Sequence, residues 1–214
     1  KLIGSDGSTM EDETGDDGSF RFMLRPNTDY VIVTYQEEYL KGKSKVTTKG
    51  LGESKEFNTT IAMSPIDKPI DLPNIFFDLE SAELRPESRI ALDRLIEILN
   101  DNPNITIELS AHTDIRGADE FNMKLSQKRA QSVVDYLVEH GVNPERLTAM
   151  GYGSDKPKRI DVKMARKYPF LEEGDVLSPE FIENIETEEK QEIAHQINRR
   201  TEFKVLSTDY KAEE

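Results

Sequence analysis

The sequence predicts an α+β chain in two parts: a small all-β part, then a larger part in which strands and helices alternate. In residues 1–64, β-prone runs such as 29–35 (DYVIVTY) are separated by turn residues, and no run has a helical period. In residues 74–206, two helical patterns lie between runs of alternating polar and apolar residues. The predicted order there is β-α-β-α-β, a long insertion, then β. We expect a mixed sheet with helices on one face.

Composition and charge restrict the classes of function. The 214 residues are 36% hydrophobic and 33% charged, with a formal net charge of −14. This acidic balance argues against a nucleic-acid partner, because phosphate binding requires a basic surface. No apolar run reaches the roughly eighteen residues that a membrane span needs. The chain begins with Lys1, so we expect a processed or truncated chain from which any export signal or lipid anchor has been removed.

The first part consists of short β-prone runs. Turn residues flank a run in which Phe20, Phe22 and Leu24 alternate with other residues. The predicted strands are 20–24, 29–35, 46–48 and 57–63. The stretch GSFRFMLRPNTDYVIV resembles the carboxypeptidase-regulatory-like β-sandwich, and residues 1–3 would then be a remnant of its opening strand. The resemblance implies a sandwich over residues 1–64 that is partly truncated.

Residues 65–73 (PIDKPIDLP) contain three prolines and are predicted to be a stiff linker. In the second part, Pro86 occupies the predicted first position of a helix, and Leu92, Leu95 and Leu99 share one face of it. Gly141 is the predicted cap at the end of the long helix. Strands are predicted at 74–78, 105–111, 146–150 and 201–205, and residues 207–214 form a tail.

The stretch 110–129 (SAHTDIRGADEFNMKLSQKR) carries the candidate site. Asn122 and Arg129 lie on one stripe of the predicted long helix, and further along the same stripe Val133 is apolar. Such a stripe enters the protein interior from a cavity. Burying Arg129 without a partner would be costly, and the loop supplies an opposite charge, Asp114. We therefore predict that the two charges face each other across a small cavity that suits a zwitterion.

Four blocks resemble the OmpA C-terminal-like domain, over 74–157 and 191–206: FFDLESAELRPES, ELSAHTDIRGADEFNMKLSQKRAQSVVDYLVEHGV, RLTAMGYGSDKP and INRRTEFKV. The resemblance implies a domain that binds peptidoglycan without cleaving it, through the diaminopimelate of the stem peptide. In this family the acid of the HTD loop and the arginine of the LSxxRA segment hold the ligand. These positions match Asp114 and Arg129.

The chemistry of diaminopimelate suits this pair. Arg129 can bind the second carboxylate bidentately, and Asp114 can accept hydrogen bonds from the ammonium. The remaining predicted ligand-binding residues supply neutral hydrogen bonds, a second cation and an acid at the rim: Thr113, Asn122, the backbone around Leu125, Arg199 and Asp78. An internal salt bridge between Asp114 and Arg129 is the alternative, and it would make the protein a docking adaptor of an envelope secretion complex without a wall ligand.

The two-part layout is similar to the periplasmic end of an outer-membrane lipoprotein, including anchoring components of type IX secretion machines. By this analogy we expect a protein of the periplasm, associated with the outer membrane and tethered to the cell wall. Further envelope or secretion partners of the β-sandwich or of the insertion are left open.

We predict neither an enzyme nor a metal or cofactor site. Ser110, His112 and Asp114 lie too close along one extended segment to form a nucleophile–base relay, so His112 is expected to be structural. Cysteine is absent, and the other histidines, His140 and His195, lack neighbours at metal-ligand spacing.

The insertion, 158–190, begins with basic residues and continues with acidic ones. Ser178 and Thr187 have the sequence context of helix N-caps, so two short helices are predicted. These helices either pack on the rim of the domain or offer a docking surface to another protein. The sequence leaves both interpretations open.

Overall fold

The computed structural model describes residues 1–78 and 80–212, and the chain forms two compact units, residues 1–66 and 67–214. The first unit is all-β, and the second combines a mixed four-stranded sheet with helices. The predicted α+β class is therefore confirmed.

The first unit contains one antiparallel sheet of four strands in the order β2-β1-β3-β4. Leu2, Tyr30 and Ile32 are buried on one face of it, as the period-two pattern predicts. The strand bounds are β1 (Leu2–Gly4), β2 (Thr9–Met10), β3 (Asp29–Thr34) and β4 (Gly42–Thr47).

Two of the strands predicted in this unit do not form. Residues 20–24 and 57–63 have no regular secondary structure and pair with no strand. Residues 1–66 therefore contain one sheet rather than the two of a sandwich. Phe20, Phe22 and Ile61 instead pack their side chains against the buried face of the sheet. The alternation of apolar residues in these segments thus reflects burial against a sheet, which does not require pairing of the main chains.

The second unit begins with β5 (Ile70–Asp71), and a 3-10 turn at Pro86–Ser88 precedes its first helix. The elements that follow are α1 (Arg89–Asp101), β6 (Thr106–Ala111), α2 (Asp119–Glu139), β7 (Leu147–Gly151), α3 (Val162–Lys167), α4 (Pro179–Glu183), α5 (Glu188–Asn198) and β8 (Thr201–Ser207).

The sheet of this unit has the order β5-β8-β6-β7, in which β6 is parallel to β7 and antiparallel to β8. Helix α2 packs on β6 and β7, and α1 packs against α2. The apolar faces predicted for both helices are buried, and Gly141 has the positive φ (91°) that the predicted cap requires. The fully buried core side chains include Leu92, Leu95, Leu99, Leu109, Val133, Leu137 and Phe203.

The prediction of a strand at 74–78 is wrong. The edge of the sheet is occupied by β5, which lies within the predicted linker and pairs with Glu202 and Phe203 of β8. The chain then turns at Asn74, whose φ is +66°. Residues 76–77 pair back onto residues 84–85 of their own loop, through a bridge between Phe77 and Leu84 and a hydrogen bond from Arg85 N to Phe76 O (3.0 Å). A loop therefore brings this segment towards α2.

The insertion forms a small helical cluster with its own apolar centre. The predicted N-caps are confirmed: Ser178 accepts from the main-chain N of Phe181 (3.2 Å), and Thr187 accepts from that of Lys190 (3.3 Å). A third helix, α3, was not predicted, and Asp161 caps it. The buried side chains of the cluster are Ile160, Leu171, Leu177, Ile182 and Ala194. This packing gives α5 a fixed position beside the HTD loop.

Candidate functional site

The loop 112–118 joins β6 to α2 and is fastened at several points. The main-chain N of His112 donates to Arg200 O and that of Thr113 donates to Gly153 O, both at 2.9 Å. Asn122, in the first turn of α2, donates through Nδ2 to Arg116 O (3.0 Å). Gly117 has φ +97°, a backbone conformation that L side chains rarely adopt. The loop therefore holds Asp114 in one place.

Asp114 is 6% exposed, and two arginines bond to it. Arg116 donates from Nε (3.0 Å) and Nη2 (2.7 Å) to Oδ2, and its main-chain N donates to Oδ1 (3.1 Å). Arg199 also donates from Nη1 to Oδ2. Burial raises the pKa of Asp114, but the hydrogen bonds from Arg116 and Arg199 outweigh burial and hold that pKa below its ordinary value. The carboxylate is therefore charged and covered by two guanidinium groups.

Arg129 lies on α2 and has a different environment. Its Nε donates to Ser81 O (2.8 Å), its Nη2 donates to Asp78 O (3.4 Å), and its guanidinium lies over the ring of Phe77 at 5.0 Å. Among the residues that the structure describes, no carboxylate forms an ion pair with it. Burial, together with the charge of Arg199, lowers the pKa of Arg129. Such a half-buried, unneutralised cation favours the approach of an anion.

A cavity of about 320 Å³ opens beside Arg129. This volume is within the range of small-ligand sites, about 300–1,000 Å³. Arg129, Arg199 and Asp78 are the predicted site residues that line it, together with Ile75, Phe76, Phe77, Ala111, His112, Gln196, Arg200 and Thr201. The structure thus puts three arginines on the cavity wall, and one of them, Arg199, is bonded to Asp114.

Three further predicted site residues lie in the loop that carries Asp114 or on α2. Thr113 Oγ1 donates to Asp114 O (2.9 Å), so its hydroxyl hydrogen is already used within the loop. Asn122 is buried, and its amide donates to the carbonyls of Arg116 and Asp114 (3.4 Å for the latter). Leu125 is half-buried on α2, one turn before Arg129. The hydrogen bonds of Thr113 and Asn122 thus fasten the loop that carries Asp114.

Two residues of the site were not predicted. Arg116 covers Asp114, and Glu192 of α5 accepts from both Arg116 Nη1 (2.9 Å) and Arg199 Nη2 (2.7 Å). The hydrogen bonds from Arg199 and Arg116 lower the pKa of Glu192. The one available signal was the seven-residue spacing between Glu192 and Arg199, which places them on the same side of a helix.

His112 belongs to a second buried charge cluster. Its Nε2 lies 3.2 Å from Glu202 Oε1, and its ring stacks on Tyr152 with 5.4 Å between centroids. Glu202 also pairs with Arg200 Nε (2.9 Å) and Lys158 Nζ (3.6 Å). Burial is the largest influence on the pKa of His112 and lowers it. Glu202 is only 7% exposed, because these partners surround its carboxylate.

The histidine does not form a catalytic relay with its chain neighbours. Ser110 Oγ donates to Glu108 (2.9 Å), and His112 pairs with Glu202 rather than with Asp114. Within residues 1–78 and 80–212, no group of three or more potential ligand side chains could hold a metal ion. Over the same residues, no helix combines the length and the hydrophobicity needed to cross a membrane.

The fold and the cavity define an α+β domain with a charged pocket at one end of its sheet. Residues 76–167 match the model of the OmpA family. The matched segment includes Asp114 and Arg129, whereas Glu192 and Arg199 lie beyond it.

Curated relatives match over part of their length. A peptidoglycan-associated lipoprotein of Rhizobium meliloti is 40% identical over 86 residues, which are 40% of this chain and 49% of the relative. Outer membrane protein A of Shimwellia blattae is 40% identical over 86 residues, or 39% of this chain and 36% of the relative. The chain therefore spans half or less of the length of these relatives.

Among solved structures, the peptidoglycan-associated lipoprotein from Burkholderia pseudomallei aligns with 24% identity and a TM-score of 0.43. The alignment covers 61% of this chain and 87% of that one.

Proposed function

We propose that the second unit binds peptidoglycan non-covalently, through the diaminopimelate of the stem peptide, and tethers an outer-membrane-associated protein or complex to the cell wall. The observation that carries the proposal is Arg129, a half-buried guanidinium on a cavity wall without a carboxylate partner among the described residues. The OmpA-like segment and the names of the relatives, which include peptidoglycan-associated lipoproteins, support the same ligand class.

The chemistry of recognition follows from the charges. The second carboxylate of diaminopimelate would bind Arg129, whose planar group can form two parallel hydrogen bonds. The adjacent ammonium would bind Asp114, which is charged and close enough for its field to act on Arg129. A stem peptide with lysine has the ammonium without the carboxylate, so Arg129 would lose its ion pair. No bond is broken in this mode, and the domain acts as an anchor rather than as an enzyme.

Calorimetry of the whole chain with a tripeptide that ends in diaminopimelate tests the proposal. We expect saturable binding that Arg129→Ala abolishes. The matched control is Lys128→Ala, which removes a neighbouring exposed cation from the same helix and should bind like the parent chain. Heat that is equal in Arg129→Ala and in the parent would contradict the proposed site.

A second candidate function is supported by the covering of Asp114. Because Arg116 and Arg199 already occupy this acid, the pocket could be closed by its own ion pairs in a docking adaptor of an envelope secretion complex. No binding of the tripeptide to the parent chain would favour this adaptor. Placement in the periplasm, a lipid anchor and a type IX secretion role are further parts of the proposal and rest on the analogy of layout.

A further inference from the structure

Four side chains form a closed ring of ion pairs, here called the ion-pair ring: Asp114, Arg116, Glu192 and Arg199. Each arginine bonds to both acids. Arg116 joins Asp114 (2.7 Å) to Glu192 (2.9 Å), and Arg199 joins the same two carboxylates. Two acids and two arginines make the ring neutral. Arg129 lies outside it and remains the excess cation of the pocket.

The ring creates a problem for any ligand that carries an ammonium. Both guanidinium groups bond to the same oxygen of Asp114, Oδ2, and the side chain of Asp114 is only 9% exposed. An ammonium can bind this oxygen well only if it displaces one of the two guanidinium groups. If the displaced arginine has no second carboxylate to bind, it loses both its ion pair and its hydrogen bonds, which is costly.

Arg116 is the better placed of the two arginines to move. Its side chain is 54% exposed, against 27% for Arg199. It also lies in the loop, next to Gly117, whereas Arg199 directly follows α5 and lines the cavity. When Arg116 leaves Asp114, it keeps the bond from Nη1 to Glu192 Oε2.

We propose that Glu192 is a positioning residue that retains Arg116 when the ammonium of the ligand takes its place on Asp114. This inference rests on the proposed binding of diaminopimelate. Glu192 does not touch the ligand. It lowers the cost of opening the ring, because the displaced guanidinium keeps one of its two acids throughout.

The test is a double-mutant cycle by calorimetry with the diaminopimelate tripeptide. We expect Glu192→Gln to weaken binding by about tenfold, within the range of couplings inside one ion-pair network. Arg116→Ala should bind at least as tightly as the parent, because it removes the competitor for Asp114. In the Arg116→Ala background, Glu192→Gln should then cost less than about twofold.

Glu189→Gln is the matched control, since it removes the same charge from an exposed position of α5 and should bind like the parent. A second ligand separates positioning from a general structural role. A tripeptide that ends in 2-aminopimelate keeps the distal carboxylate but lacks the distal amino group, so its binding should be insensitive to Glu192→Gln.

Several results would overturn the inference alone: an equal penalty for Glu192→Gln with and without Arg116, loss of binding in Arg116→Ala, or an equal penalty with 2-aminopimelate. These outcomes require a parent chain that binds the diaminopimelate tripeptide. A parent chain that fails to bind it overturns the proposed function first, and this inference with it.

Discussion

Arg199 and Asp114 form an ion pair although 85 positions separate them in the chain. Asp114 lies in the loop after β6, and Arg199 lies between α5 and β8. Because β6 and β8 are neighbouring antiparallel strands, the end of one lies beside the start of the other. The sheet therefore assembles the charged site from two distant segments, and the predictions below probe this assembly.

Arg129→Lys keeps the positive charge but removes the planar fork and its contact with the Phe77 ring. We expect the affinity for the diaminopimelate tripeptide to fall about tenfold, because an ammonium cannot form two parallel bonds to a carboxylate. Calorimetry on the whole chain measures the change. Unchanged affinity would show that the carboxylate binds elsewhere.

Arg146→Met should destabilise the second unit. The buried Arg146 donates to Leu99 O, Asn102 O and Ile105 O at 2.7–2.9 Å, around the end of α1. Methionine fills similar space but leaves these carbonyls without that donor, so we expect a loss of about 2–4 kcal/mol in the free energy of unfolding. Urea denaturation measures it, and Arg94→Met at an exposed position of α1 is the control.

Gly151→Ala should disturb the contact between β7 and α2. A Cβ at this position would lie 2.5 Å from Gln127 Cα and 2.6 Å from Ser126 Oγ. Because the helix backbone cannot yield locally, we expect a loss of about 3 kcal/mol in the free energy of unfolding.

The same variant should also weaken ligand binding, since α2 carries Arg129. Gly52→Ala, at an open position, is the control. Equal unfolding midpoints for the two alanine variants would refute the tight packing of helix and strand.

Acidification should destabilise the second unit through His112 and Glu202. Burial lowers the pKa of His112 below 6.5, so the unfolded chain takes up a proton before the folded chain does, and stability falls as the pH drops through about 6.5. Burial raises the pKa of Glu202, but His112 and Arg200 outweigh it and hold the pKa below 4.5. That contribution is present above pH 4.5 and is lost as the pH falls further.

Urea denaturation at a series of pH values tests both steps. In His112→Gln the loss of stability between about pH 7 and pH 5 should become smaller, whereas in His140→Gln, at an exposed position, it should persist. A profile that is unchanged in His112→Gln would contradict the assignment of this step to His112.

Local patterns predicted most of the second unit. Leu92, Leu95 and Leu99 defined the buried face of α1, and the hydroxyl groups of Ser178 and Thr187 marked the starts of α4 and α5. These features depend on helical periodicity and on capping, which act over a few residues.

The features that were mispredicted depend on distant partners. Residues 70–71 form the edge strand instead of 74–78 because β8, far along the chain, pairs with them. The alternation of polar and apolar residues along one strand does not indicate which distant segment will pair with it.

The candidate site likewise has one part that local patterns predicted and one part that depends on distant residues. The position of Arg129 on the cavity wall was predicted from the stripe of residues on α2. Arg116 covers Asp114 from within the same loop, whereas the link through Glu192 depends on the position of α5, which local sequence patterns do not predict.

The position of Arg199 also has a consequence for synthesis. During translation, Asp114 leaves the ribosome 85 residues before Arg199 does. Until β8 emerges, β6 lacks one of its two neighbours and the carboxylate has only Arg116 from its own loop as a covering cation. The charged pocket therefore assembles only after β8 has joined the sheet.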